Sequence, residues 1–168
     1  FVIAPDDAPY ACTCATCTAL GNTEKNATPA ITELIIRLSQ RFPKHFFFTT
    51  SYLTTQQVTD KQLPSNTGVI VSAIDYPLRR TDGKDEQDKK FAAQLDNWKK
   101  VTNNIYIWDY INNFDDYLTP FPILKIAQQR LQFFKQHGAS GIFFNGSGYS
   151  YSSFDEMRTF VLLSLIHI

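Results

Sequence analysis

The sequence lacks an excess of either charge: sixteen Lys and Arg balance sixteen Asp and Glu. Nothing therefore steers it toward nucleic acid or an anionic lipid surface. It also lacks any apolar run near the roughly 18 residues that a bilayer-spanning helix needs, so no membrane-spanning segment is expected. A signal peptide and an initiating methionine are missing, and the chain opens on Phe1-Val2-Ile3, inside an apolar run. That opening reads as a fragment whose upstream part lies elsewhere. No internal repeat, low-complexity stretch or Ser-His-Asp set is visible, and no hairpin dipeptide separates two strand-like runs. Cysteine is scarce and odd in number. With Cys12, Cys14 and Cys17 alone, one thiol is left over if two form a disulfide.

What is present is a rhythm of apolar runs and amphipathic stretches. Phe1–Pro5, His45–Tyr52, Val69–Asp75, Ile105–Tyr110 and Gly141–Asn145 are near-continuously apolar. Such runs are expected of parallel strands covered on both faces. Between them, Thr28 is placed to cap a helix with Pro29 at its first position, and Ile31, Leu34, Ile35, Leu38 and Phe42 form its stripe. Phe91, Leu95 and Trp98 mark a second helix over about Asp85–Val101. Ile123, Ile126, Arg130 and Phe134 mark a third, closed by Gly138, and Phe154, Met157, Val161 and Leu162 a fourth. Between Tyr52 and Val69 a loop is expected. Alternation with short links predicts an α/β fold with a parallel sheet. Five strands and four helices suit an open doubly wound sheet or the later part of an eight-stranded barrel. Because the chain opens inside a strand, the expectation is about five βα units from the C-terminal portion of a TIM (β/α)8 barrel.

Several strand ends carry polar groups that a barrel would gather on one rim. Asp6 and Asp7 follow the first run, Tyr52 ends the second, Asp75 follows the third, Asp109 and Tyr110 close the fourth, and Asn145 ends the fifth. Glycoside hydrolysis needs two carboxyl groups, one to protonate the leaving oxygen and one to activate water or attack the sugar. Each Asp taken singly is equally read as a cap or turn former; their recurrence at strand ends is what points to catalysis. Trp108, Tyr110, Tyr52, Asn145 and Tyr149 are candidates to hold a sugar, Trp108 and Tyr110 by stacking, although Trp108 also suits barrel filling. Cys12, Cys14 and Cys17 have two readings. They form a structural zinc site with a fourth ligand from elsewhere, such as His45 or an upstream segment, or they contribute a disulfide. No other cofactor is expected.

The segments APDDAPYACTCATC, IYIWDYINNFDDYLTPFPIL and FFKQHGASGIFFNGSGYSYSSFDEMRTFVL resemble a bacterial family of unknown function, domain of unknown function 4838. Its members have glycoside-hydrolase-like barrels distantly similar to hexosaminidases and α-glucuronidases. The resemblance spans nearly the whole chain to Leu162. It implies that the five strands are the fourth to eighth of the barrel, and that the acid follows the fourth, at Asp6 or Asp7. Hexosaminidases have Asp-Glu there; this chain has the shorter Asp-Asp. By position, Asp75 and Asp109 match carboxylates that α-glucuronidases place after their sixth and seventh strands; Arg79 and Arg80 are read either as a solvated loop pair or as a fork for a uronate carboxylate. The family likeness also implies a periplasmic, cell-surface or secreted protein with a carbohydrate substrate.

The expected domain is residues 1–162. Residues 163–168 (Leu163-Ser164-Leu165-Ile166-His167-Ile168) read like a translated sequencing adapter and are expected to be non-native. The functional expectation is a glycosidase acting on polysaccharide or glycoconjugate. The alternatives are a carbohydrate-binding barrel without catalysis and a cysteine-stabilised structural domain.

Overall fold

The computed structural model describes residues 1–78, 83–146 and 152–165. Short helix α1 (Ala15–Ala19) and long helix α2 (Thr28–Arg41) precede strand β1 (Phe47–Ser51) and a single 3-10 turn (Leu53–Thr55). Then follow β2 (Thr67–Ser72), α3 (Glu86–Lys99), β3 (Ile105–Tyr110), α4 (Ile123–Gln136), β4 (Gly141–Asn145) and α5 (Asp155–Ser164). The four strands form one parallel sheet in the order β1-β2-β3-β4. Sequence order and spatial order coincide, so the described sheet has no point at which the winding reverses. That is an α/β architecture compatible with part of an α/β barrel.

The opening run is less of a strand than its composition suggests. It runs parallel beside β1, but only Val2 forms a bridge, to Phe48. Three bonds hold it: the Phe1 nitrogen donates to Phe46 O at 2.8 Å, Ile3 N–H to Phe48 O at 2.7 Å, and Phe48 N–H to Phe1 O at 2.8 Å. Pro5 then supplies no donor to continue the ladder.

Coverage of the sheet also differs from expectation, because the described helices cover one face only. Val69, Val71, Ile105 and Ile107 are wholly buried there, against Ile35 of α2, Phe91, Leu95 and Trp98 of α3, and Phe133 and Phe134 of α4. The pleat sends alternate residues to the opposite face, where Tyr106 is 39% and Phe143 53% exposed. Small residues let aromatic rings fill that second face. A Cβ at Gly68 would lie 2.5 Å from the Phe48 ring and 2.4 Å from Asn104 O, and one at Gly141 would lie 3.0 Å from the Tyr106 ring. The Phe48 and Tyr106 rings meet with centroids 4.9 Å apart.

Helix α2 departs from its expected stripe. Its buried positions are Thr28, Thr32, Ile35 and Ser39, while Leu34 and Phe42 are exposed. Hydroxyls are tolerated inside because they find acceptors: Thr28 Oγ donates to Gln57 O at 2.9 Å and Ser39 Oγ to Ile36 O at 2.7 Å. Thr28 is the first helical residue rather than the cap. Ala27 is the cap, and Asn26 Oδ1 accepts the Thr28 N–H at 3.0 Å. Helices α3 and α4 match expectation more closely. Asp85 caps α3 by accepting the Gln87 N–H at 2.8 Å, and Gly138 ends α4 at φ +92°, a conformation that only glycine adopts without strain. In α5 the buried residues are Arg158 and Leu162, and Phe154 and Met157 face outward.

Candidate functional site

The carboxyl ends of the strands bring together most of the polar groups picked out in the sequence. The bridge of Val2 to Phe48 sets the opening run parallel to β1, heading toward the same edge of the sheet. Asp6 and Asp7 are both exposed there, and the turn that carries them is closed by Ala8 N–H donating to Asp6 O at 2.8 Å. Tyr52 leaves β1 in extended conformation and starts the 3-10 turn, where its carbonyl accepts the Thr55 hydroxyl at 2.9 Å. The next residue, Leu53, has φ +45°, a strained conformation for a leucine directly beside a site residue.

Tyr52 is the hub of the site. Its phenol lies within the fields of both the Asp7 and the Asp75 carboxylates. Burial, followed by Asp7 and then by Asp75, pushes its phenol above the ordinary tyrosine value. Tyr110, half-buried at the end of β3, is pushed up as well, first by burial and then by Tyr52, with Asp7 and Asp109 adding to it. A hydrogen bond with the Ser72 side chain acts in the opposite sense. Asp7, Tyr52, Ser72, Asp75 and Tyr110 therefore form one electrostatically connected group drawn from four successive segments. Both phenols remain neutral donors at physiological pH.

Asp75 lies between two clefts. One, of about 370 Å³, is lined by Gln56, Ser72, Lys90 and Gln94 among others; the other, of about 180 Å³, by Tyr110, Phe121 and Arg130 among others. Ser72, Gln56, Lys90 and Gln94 carry no recognisable motif, and only the fold assembles them. Ser72 had a weak signal, since it is the polar residue in the middle of the otherwise apolar run that Asp75 closes.

Asp109 is not part of the group on the rim. On β3 the pleat turns Tyr106, Trp108 and Tyr110 one way and Ile105, Ile107 and Asp109 the other, toward the helices. Its carboxylate is 3% exposed and accepts two bonds from Arg130 of α4, at 2.8 and 3.0 Å, and one from Tyr110 N–H at 2.9 Å. Arg130 also donates to Pro77 O at 2.9 Å and lies over the rings of Tyr76 (4.8 Å) and Phe134 (5.4 Å). Tyr76 extends the network, donating to Asp88 Oδ1 at 2.6 Å. Three of the roughly four acceptor positions of the Asp109 carboxylate are engaged, two of them in a bidentate pair of a kind that serves structure. Its signal was present in the sequence, as an arginine on an otherwise apolar helical stripe demands a buried anion.

Trp108 sits half-buried on the open face, edge-on to Phe143 at 5.6 Å and near-parallel to Tyr110 at 6.4 Å. Its indole N–H is buried without a partner among the described residues. Asn145 ends β4 opposite Tyr110, half-buried, and its carbonyl accepts Ile111 N–H at 3.1 Å. Tyr149, Arg79, Arg80 and His167 lie outside the described residues. Cys12, Cys14 and Cys17 are free thiols with sulfurs all within 4.8 Å of one another. His45 is at the opposite end of β1, its ring 5.7 Å from Phe1 and 6.4 Å from Phe42. It is therefore not the fourth ligand of a cysteine site.

A parallel α/β sheet with acids and phenols at its carboxyl edge defines the class. The chain belongs to the family described as a domain of unknown function, DUF4838, whose model matches residues 1–167. Neither the curated proteins nor the solved structures provide a match.

Proposed function

We propose that this chain is part of a glycoside-hydrolase-like (β/α) barrel that cleaves glycosidic bonds of a polysaccharide or glycoconjugate outside the cytoplasm. Asp7 and Asp75 form its carboxyl pair. The observation that carries this reading is the convergence of Asp7, Tyr52 and Asp75 at the carboxyl edge of the sheet, where the opening run, β1 and β2 lie side by side and both carboxylates act on one phenol. Two carboxyl groups with space between them are what glycosidic cleavage requires. The unreversed strand order and an aromatic second face, which a closed barrel would turn inward, support the barrel part of the reading.

In this reading Asp7 protonates the departing glycosidic oxygen, and Asp75 activates water or attacks the anomeric carbon. Tyr52 orients Asp7, Asp6 assists from the same turn, and Tyr110 and Trp108 offer faces to the sugar. Asp109 holds β3 against α4 through Arg130 and supports Tyr110 from behind. The test is turnover of a panel of glycans by the intact protein and by Asp7→Asn and Asp75→Asn. Each substitution is expected to cost about 10²–10⁴-fold in kcat with the fold retained. Unchanged turnover in either variant would remove that residue from the pair. Glycan binding by the parent protein without any hydrolysis would replace catalysis with recognition.

A further inference from the structure

We propose that Cys12, Cys14 and Cys17 form a metal site that binds one zinc-class, thiophilic ion through three thiolates and leaves a fourth position open to water or an external ligand. The proposal is independent of the glycosidase reading.

Convergence is the first observation. All three sulfurs lie within 4.8 Å of one another. A tetrahedral zinc with sulfur bonds of about 2.3 Å holds its thiolates roughly 3.8 Å apart, so closure onto an ion needs only small side-chain movements. A disulfide would use two of these sulfurs and give the third no reason to meet them, whereas an ion uses all three.

Preorganisation is the second. The carbonyl of every one of these cysteines is engaged: Cys12 O accepts Asn22 Nδ2 at 3.2 Å, Cys14 O accepts Thr18 N–H at 2.9 Å, and Cys17 O accepts Asn22 N–H at 3.0 Å. Asn22 is itself buried, and its side-chain oxygen accepts Ala30 N–H at 3.0 Å, tying the loop to the start of α2. A further strut, Ala11 N–H to Glu24 O at 2.7 Å, closes the loop at its base. The backbone thus holds three side chains in one cluster without help from any metal, and the entropy of assembling the ligands is already spent on folding.

Chemistry at the cluster agrees. Metal binding exchanges the thiol protons for the ion, so affinity falls as pH falls. No other His, Cys, Asp or Glu among the described residues joins the three, and Cys12 and Cys14 are exposed, which places the open position toward solvent. The loop also packs on the rim: Ala27 N–H donates to Thr54 O at 2.8 Å and Asn26 Nδ2 to Gln57 Oε1 at 2.9 Å. An ion here would fasten the segment that follows Asp7.

The test is metal analysis and cobalt substitution on the intact protein, purified with reductant and without chelator. The expected result is one zinc per chain, replaceable by cobalt with the strong visible bands of a tetrahedral ion and thiolate charge-transfer intensity matching three sulfurs. Cys12→Ser, Cys14→Ser and Cys17→Ser should each abolish that spectrum, and His45→Ala should leave it intact. Substoichiometric metal in reduced wild-type protein would overturn the proposal, as would a full cobalt spectrum in any cysteine variant. Loss of the spectrum in His45→Ala would overturn the open fourth position. Because the wild-type spectrum counts thiolates directly, the result does not depend on the variants folding.

Discussion

Replacing Asp109 by asparagine leaves the Arg130 guanidinium buried, 2% exposed, without its counter-charge. The neutral amide retains one acceptor for Arg130 but presents an NH₂ group toward the other guanidinium nitrogen, turning an attractive pair into an unsatisfied donor pair. Removing one partner of a buried, hydrogen-bonded ion pair costs about 3–5 kcal/mol. With a urea slope of about 2 kcal/mol per molar, the unfolding midpoint should fall by roughly 2 M. For a chain of this size the melting temperature should fall by about 10 °C. Equilibrium urea unfolding followed by tryptophan fluorescence measures this, since Trp98 is buried between α3 and the sheet and Trp108 is half-buried on β3. A paired replacement, Asp109→Leu with Arg130→Met, removes both charges and should recover most of the loss, because an apolar pair of similar volume carries no desolvation penalty. The reasoning is refuted if Asp109→Asn unfolds within about 0.5 kcal/mol of the parent. If turnover were lost at that unchanged stability, the carboxylate would belong to the chemistry rather than to the scaffold.

Two further outcomes test the packing and the phenols. Gly68→Ala drives a methyl group into Asn104 O and the Phe48 ring and should cost about 1–3 kcal/mol by chemical denaturation; an unchanged midpoint would mean that the second face has room to spare. The phenols of Tyr52 and Tyr110 are raised above 10 in the folded protein, so folding favours their protonated forms. The stability this contributes is complete below pH 10 and lost as pH rises through the folded-state values. Unfolding midpoints measured from pH 9 upward should therefore decline less steeply in Tyr52→Phe with Tyr110→Phe than in the parent, and parallel curves would refute the coupling.

Element type was legible in the chain because it depends on local period and punctuation. Ile105–Tyr110 and Gly141–Asn145 are strands as read, and Phe91, Leu95 and Trp98 face inward at helical spacing from a helix that Asp85 begins. Gly138 ends α4 because its φ of +92° suits glycine alone. These features are fixed within a few residues of themselves, and a sequence carries them openly.

Which way each strand-end group points was not legible. Asp109 and Tyr110 are neighbours in sequence, yet one faces Arg130 and the other Tyr52, and only the register of β3 against β2 and β4 assigns the two sides. A shift of one residue would exchange them. The same holds for Tyr52, whose place in the field of Asp7 depends on a single bridge between Val2 and Phe48, and for the three thiols, whose spacing in the chain says nothing of the 4.8 Å within which a buried asparagine holds them. Residue types and periods are properties of short segments. The convergence of side chains from segments far apart in sequence is a property of packing, and here it separates a structural aspartate from a candidate catalytic one.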